Sequence, residues 1–256
     1  MQKLVDCILS GVSLLVLGFS VGLFSFLSPV IAGERVIAST PLVGAIAKAA
    51  GAREVRVISP EGTRHPPEYD LKPSDLLMFQ EARMVIYGGY ERMVPKLLET
   101  SREKGILALR IETETSPDTL IASARKVSQA LGTEKEEGVW EKQFTEKLEV
   151  LQKNLSPLSG KRAIAHRYAY PFCKWANLSI LQMIPPGELT PKIIADAIAQ
   201  KPELVVDVFH FPIARVIAEN ANCKYIQIIN FPGVEGAKTL EDVFEYNSMQ
   251  LIKGFR

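Results

Sequence analysis

The chain has 256 residues, of which 47% are hydrophobic and 23% are charged, and 30 Lys and Arg against 29 Asp and Glu give a formal net charge of +1. This composition excludes a disordered chain, and three cysteines are too few for a disulfide scaffold. The balanced charge excludes a strong overall field for an anionic partner, so nucleic acid is not expected as a ligand.

The N-terminal segment has the pattern of an export signal. Positions 7–33 carry no charge, and Val30 and Ala32 fit the small-residue rule of signal peptidase before Gly33. The apolar run of about 21 residues is also long enough to span a bilayer. The sequence therefore predicts that residues 1–32 are a signal peptide or an uncleaved N-terminal anchor, and that the rest lies outside the cytoplasm.

The exported part contains two cysteines, Cys173 and Cys223. Outside the cytoplasm such a pair can form a disulfide. Two buried free thiols are an equally good interpretation, and the sequence leaves both open.

After this segment, predicted strands alternate with predicted helices, which favours parallel sheets with right-handed crossovers. Thr40 and Pro41 are a good N-cap and first residue for the first helix, and a second helix is expected to begin at Lys72–Asp75. The predicted strands are 35–39, 54–58, 84–87, 106–109, 163–165, 204–209 and 225–229. The other predicted helices are 90–101, 191–200, 213–220 and 240–251.

One segment, 134–155, predicts a single long amphipathic helix. Large apolar residues recur there at spacings of 4, 4, 3 and 4, with mostly Glu, Lys and Gln between them. They are Trp140, Phe144, Leu148, Leu151 and Leu155.

The expected fold is therefore α/β, with two lobes that each contain a parallel central sheet and are joined by this helix. The expected boundaries are an N-terminal lobe over 33–133, a linking helix over 134–157 and a C-terminal lobe over 158–256.

The three histidines all follow predicted strands. His65 lies in the loop after the second strand, and His166 and His210 each lie at the carboxyl end of a strand in the second lobe. Ligands of open α/β sheets bind outside these strand ends, and imidazole is a common ligand of Zn²⁺ and similar ions. The histidines are therefore candidate metal ligands in an interlobe cleft, although each taken alone also fits an ordinary loop residue.

Several segments carry a resemblance to a known family. In chain order they are VIASTPLVGAIAKAAG with VRVISPEG after it, EYDLKPSDL, ARMVIYGGYERMVPKLLE, LSPLSGKRAIAHRYAYPF, ELTPKIIADAIAQ and the strand that reaches Val208-Phe209. Their order, with the long helix, resembles the metal-binding solute-binding proteins of bacterial ABC transporters, the zinc and manganese type. The resemblance covers nearly all of the exported part.

The resemblance matches one of the three histidines directly to a ligand position and leaves the other two displaced. His166 matches a metal-ligand histidine of the family directly. His65 lies two residues before the register position of another ligand, Pro67. His210 lies one residue before the register position of a further ligand, Phe211.

The family's fourth ligand is an Asp near the last strand, and this chain has no Asp there. The resemblance leaves Asn230 and Glu235 as candidates, and Glu68, close to His65, is a third. Tyr168 and Tyr170 are expected to line the cleft.

The resemblance implies a non-enzymatic binding protein. It would capture a divalent transition metal, Zn²⁺ first and Mn²⁺ or Fe²⁺ as alternatives, and deliver it to an ABC transporter permease. Membrane contact is expected only through the N-terminal segment, if this stays uncleaved.

Two other functions remain open from the sequence. The same architecture can bind a metal chelate such as haem or a siderophore, for which Arg64, Arg167 and Tyr168 are suitable residues. A zinc hydrolase with three histidine ligands is the third reading, although no nucleophile motif accompanies the histidines.

Overall fold

A computed structural model describes residues 35–255, which belong to one compact unit, Gly33–Arg256. The predicted signal peptide or anchor lies outside the described residues. Within the described range, no helix has the length and apolar character needed to cross a membrane.

The first lobe is built on a parallel four-stranded sheet in the order β2-β1-β3-β4. Its strands are β1 (Arg35–Ala38), β2 (Glu54–Val57), β3 (Ala82–Tyr87) and β4 (Leu107–Arg110). Its helices are α1 (Pro41–Ala49), α2 (Val94–Glu103) and α3 (Pro117–Leu131).

The second lobe repeats this topology with a parallel sheet in the order β6-β5-β7-β8. Its strands are β5 (Arg162–His166), β6 (Ser179–Ile184), β7 (Leu204–Val208) and β8 (Lys224–Ile228). Its helices are α5 (Tyr170–Trp175), α6 (Pro191–Ala199), α7 (Arg215–Ala221) and α8 (Leu240–Phe255). The α/β class and the two parallel sheets are as predicted. The strand order shared by the two sheets was not predicted, because the two lobes show no clear repeat in sequence.

The long helix α4 (Glu134–Leu155) connects the two lobes and has the predicted bounds. Phe144, Leu148 and Leu151 on its buried face belong to one hydrophobic cluster that also contains Val36 of β1 and Val206 of β7. The two sheets therefore share a continuous core.

One predicted helix differs in type and another in its start. A helix begins at Asp75 as predicted, but it is a 3-10 helix, Asp75–Gln80, and Asp75 accepts hydrogen bonds from the Lys72 backbone N–H and the Tyr69 hydroxyl. Helix α2 begins at Val94 rather than at Tyr90, and Glu91 before it accepts hydrogen bonds from three backbone N–H groups of the preceding turn.

Three elements, α3, α5 and β6, were not predicted. The sequence carries a clear signal for α3, because Ser116 caps the helix and Pro117 is its first residue, as Thr40 and Pro41 do for α1. Strand β6 lies at a sheet edge and is mostly half-buried, so it shows no clean apolar pattern.

Cys173 and Cys223 are free thiols in the structure. Cys173 is fully buried in α5, and burial raises the pKa of its thiol. Cys223 is half-buried before β8.

Candidate metal centre

Each sheet has a point at its centre where the chain order reverses, and α/β proteins bind ligands there. In the second lobe this point lies between β5 and β7. His166 is the last residue of β5, and His210 follows the end of β7 by two residues. Two of the predicted ligands therefore lie at the expected place.

The third histidine comes from the first lobe. His65 precedes a 3-10 turn, Pro66–Glu68, in the loop between β2 and β3. Its ring lies 6.0 Å from the His210 ring, measured between centroids. With metal–nitrogen bonds of about 2.0–2.1 Å, one ion can contact two imidazoles at about this separation.

Two aromatic rings contact the histidines. The Tyr168 ring lies 5.2 Å from the His166 ring and stacks on the His210 ring at 5.6 Å. The Phe211 ring lies 6.0 Å from His166 and 6.4 Å from His65. No group of three His, Cys, Asp or Glu side chains within the described part of the chain is arranged to hold a metal ion.

Three buried polar atoms in this region have no hydrogen-bond partner among residues 35–255. They are Nε2 of His166, Nδ1 of His210 and Oδ1 of Asn230. Buried polar atoms are nearly always paired, so an orphaned group requires an explanation such as a bound ion or water. The three atoms lie at or after the ends of neighbouring strands, β5, β7 and β8.

The environment keeps the two second-lobe histidines neutral. Burial, assisted by His65, His166 and Arg64, lowers the pKa of His210 to about 4. Burial also lowers the pKa of His166, against the opposing effect of the Asp207 carboxylate. Neutral imidazole is the form that binds metal.

His166 has a specific hydrogen bond as well. The Tyr168 backbone N–H donates to His166 Nδ1 over 3.2 Å. While Nδ1 accepts this bond, a neutral ring carries its proton on Nε2, which then acts as a donor. Binding of a cation at Nε2 would require the proton to move to Nδ1.

The other candidate residues are placed differently. Asn230 lies beside the interlobe contact, since its carbonyl accepts a hydrogen bond from Thr115. Glu68 is exposed on the 3-10 turn after His65. Glu235 is exposed and accepts a hydrogen bond from Tyr246 of α8. Tyr170 lines a separate cavity of about 680 Å³ beside α4.

Two buried carboxylates at the strand ends were missed by the sequence analysis. Glu91 accepts hydrogen bonds from the Ser39 hydroxyl and from three successive backbone N–H groups at the end of β3. Asp207 accepts hydrogen bonds from two backbone N–H groups and from the Tyr225 hydroxyl. Glu91 comes shortly after Gly88-Gly89. An acidic residue after such a glycine turn is the sequence feature that could have identified it as a structural carboxylate.

No family model and no curated protein matches the chain. Solved structures do match over most of its length. A Mn-bound periplasmic metal binding protein from Candidatus Liberibacter asiaticus is 14% identical, with a TM-score of 0.66, over 87% of this chain and 100% of that one. The solute-binding protein FpvC from Pseudomonas aeruginosa in complex with Ni²⁺ is 15% identical, with a TM-score of 0.67, over 86% and 96%.

A Cd-bound form of the Liberibacter protein matches with a TM-score of 0.67 at 14% identity, over 87% of this chain and 100% of that one. At these identities the likeness defines the fold. The fold is that of periplasmic metal-binding proteins, as the resemblance in the sequence predicted.

Proposed function

We propose that this chain is an extracytoplasmic solute-binding protein that captures a divalent transition metal ion between its lobes and delivers it to an ABC transporter permease. The main support is a group of three buried side-chain atoms that have no hydrogen-bond partner among residues 35–255, on His166, His210 and Asn230. His65 supplies a further imidazole from the opposite lobe.

The donor set favours zinc as the cargo. Three imidazole nitrogens and one amide oxygen suit a borderline ion, whereas Mn²⁺ prefers oxygen ligands. The proteins of similar fold are described with Mn, Cd and Ni, so Mn²⁺ and Fe²⁺ remain the alternatives to compare.

The strand-end carboxylates support binding rather than catalysis. A hydrolase needs a general base within reach of a metal-bound water. Glu91 and Asp207 are buried and engaged by backbone N–H groups, so neither is available for that role. This supports a non-enzymatic function.

The test is metal content by elemental mass spectrometry of residues 33–256, purified without chelator or tag and then dialysed against zinc. We expect about one Zn²⁺ per chain, and its loss in His166→Ala, because loss of one ligand of a small site typically abolishes tight binding. Lys174→Ala, on α5 and away from the histidines, is the matched control.

Two outcomes would contradict the proposal. Undiminished zinc in His166→Ala would mean that the metal binds elsewhere. No metal in the parent chain would exclude a bare-ion carrier and direct the search to a chelate, with haem absorbance as the first measurement.

A further inference from the structure

The cavity of about 680 Å³ beside α4 is lined by residues of both lobes and by none of the three histidines. The first lobe contributes the start of α3 and the residues just before it, and the second lobe contributes α5 and the residues just after it. The end of α4 lines the cavity as well. Cavities of about 300–1,000 Å³ at boundaries between domains are the usual size and place of ligand sites in proteins. The cavity therefore has the size and position that suit a small organic molecule.

Charged side chains of opposite sign line this cavity from the two lobes. Glu114 and Asp118 belong to the first lobe, and Lys174 of α5 belongs to the second. Within residues 35–255, none of these three exposed side chains takes part in a hydrogen bond or an ion pair. Nearby charged residues do, as Arg125 of α3 does with Glu141 of α4. The three charges at the cavity are therefore available to a bound molecule.

Two half-buried aromatic side chains, Tyr170 and Trp175, line the same cavity. The Trp175 ring packs edge-on against Phe244 at 5.0 Å and lies tilted against Phe172 at 5.4 Å. In the described part of the chain, its indole N–H and the Tyr170 hydroxyl have no hydrogen-bond partner. A bound molecule therefore meets a packed aromatic ring and two unused donors.

The charges decide which kind of molecule suits the cavity. An anion would be attracted by Lys174 but repelled by Glu114 and Asp118, and a cation would leave Lys174 without a partner. An uncharged molecule would displace water from all three without replacing its interactions. A zwitterion can pair with both signs at once through charge-assisted hydrogen bonds.

We propose that this cavity binds a short peptide through its two charged ends. The C-terminal carboxylate pairs with Lys174, the N-terminal ammonium group pairs with Glu114 and Asp118, and a side chain of the peptide lies against Trp175. A free amino acid is also a zwitterion, but it is small for a cavity of about 680 Å³. The inference goes beyond the proposed metal site and holds whether or not the histidines bind an ion.

Trialanine and its blocked analogues test the two ends of the peptide. Binding to residues 33–256 is measured by isothermal titration calorimetry at neutral pH. We expect trialanine to bind, and we expect N-acetylation and C-terminal amidation to weaken binding by about 10-fold each. Either modification removes one charged end and the charge-assisted hydrogen bonds that it makes.

Variants of the cavity assign each end of the peptide to its side chains, by the logic of a double-mutant cycle. In Lys174→Ala, C-terminal amidation should no longer weaken binding, while N-acetylation still does. The reverse is expected in a variant with both Glu114→Gln and Asp118→Asn. Lys153→Ala, exposed on α4 and outside the cavity lining, is the matched control and should bind trialanine like the parent chain.

Three results would overturn the peptide site. The first is no binding at about 10 mM trialanine, a concentration that detects even a Kd in the millimolar range. The second is equal affinity for free and blocked peptides, and the third is an amidation effect that persists in Lys174→Ala. None of these variants alters a histidine, so zinc content measured on the same proteins reports on the metal centre separately.

Discussion

Polar residues at the strand ends of this protein fall into two groups that differ in their hydrogen bonds. The carboxylates of Glu91 and Asp207 are saturated by backbone donors. Atoms of His166, His210 and Asn230 are buried without partners. The saturated carboxylates stabilise the turns around them, and the unpaired atoms are the ones that the proposed metal site would use.

Glu91→Gln tests the structural role of the first group. One carboxylate oxygen accepts from Gly89 and Tyr90 N–H, and the other from Ser39 and Gly88. A Gln amide keeps only one acceptor atom, so two donors lose their partner. We expect the free energy of unfolding to fall by about 2–4 kcal/mol in urea denaturation.

Glu99→Gln is the matched control for this substitution. It removes only an exposed pair with Lys96 on α2, which solvent screens, so little change in stability is expected. If the two variants unfolded at the same urea concentration, the hydrogen bonds to Glu91 would contribute nothing to stability.

At the scale of elements, the sequence predicted seven of the eight strands and the long helix because their signals are local. Helix α4 shows its buried face directly in the spacing of Phe144, Leu148 and Leu151. Glu91, just before α2, accepts a hydrogen bond from Ser39, 52 residues away. No local pattern contains such a contact.

The candidate site, like the elements, was predictable only where its signals are local in sequence. The position of His166 and His210 at strand ends follows from the strand pattern. The contacts of the Tyr168 ring with both histidines depend on the orientation of one side chain in a turn, which no strand pattern contains. The fourth ligand stays a prediction for mutagenesis of Glu68, Asn230 and Glu235. The Glu235 carboxylate accepts a hydrogen bond from Tyr246 of α8.

Phe144→Ala tests whether α4 holds the lobes together through its buried face. Phe144 is fully buried, stacks on Trp140 at 4.9 Å and meets Phe244 of α8 edge-on at 5.6 Å. The cavity left by the ring should lower the free energy of unfolding by about 3–5 kcal/mol in urea denaturation.

Val139→Ala, at an exposed position of the same helix, is the control and should change stability by less than about 0.5 kcal/mol. A loss below about 1 kcal/mol in Phe144→Ala would show that the helix contributes little to the shared core.

At the scale of the molecule, the lobes are connected by more than the helix. They share one hydrophobic cluster, and the first-lobe Gly62 N–H bonds to the Gly233 carbonyl in the second. Thr115 bonds to Asn230 across the same boundary. A large hinge motion between the lobes would break these contacts.

The neutral histidines at the centre of the molecule predict a loss of stability in mild acid. The pKa of His210 is lowered to about 4 and that of His166 is also lowered, whereas unfolded histidine titrates near about 6.5. Between these values the unfolded chain binds more protons than the folded one. Stability is therefore complete above about pH 7 and decreases as the pH falls toward about 4.

Urea denaturation of the metal-free chain between about pH 7 and pH 5 measures this effect, because carboxylates titrate mostly below that window. We expect the free energy of unfolding to decrease over this window, with a net uptake of protons on unfolding. A variant with both His166→Gln and His210→Gln should lose most of this slope while it keeps His65. An unchanged slope in that variant would mean that the slope comes from other groups and that the pKa values of the two imidazoles do not differ between the folded and unfolded chain.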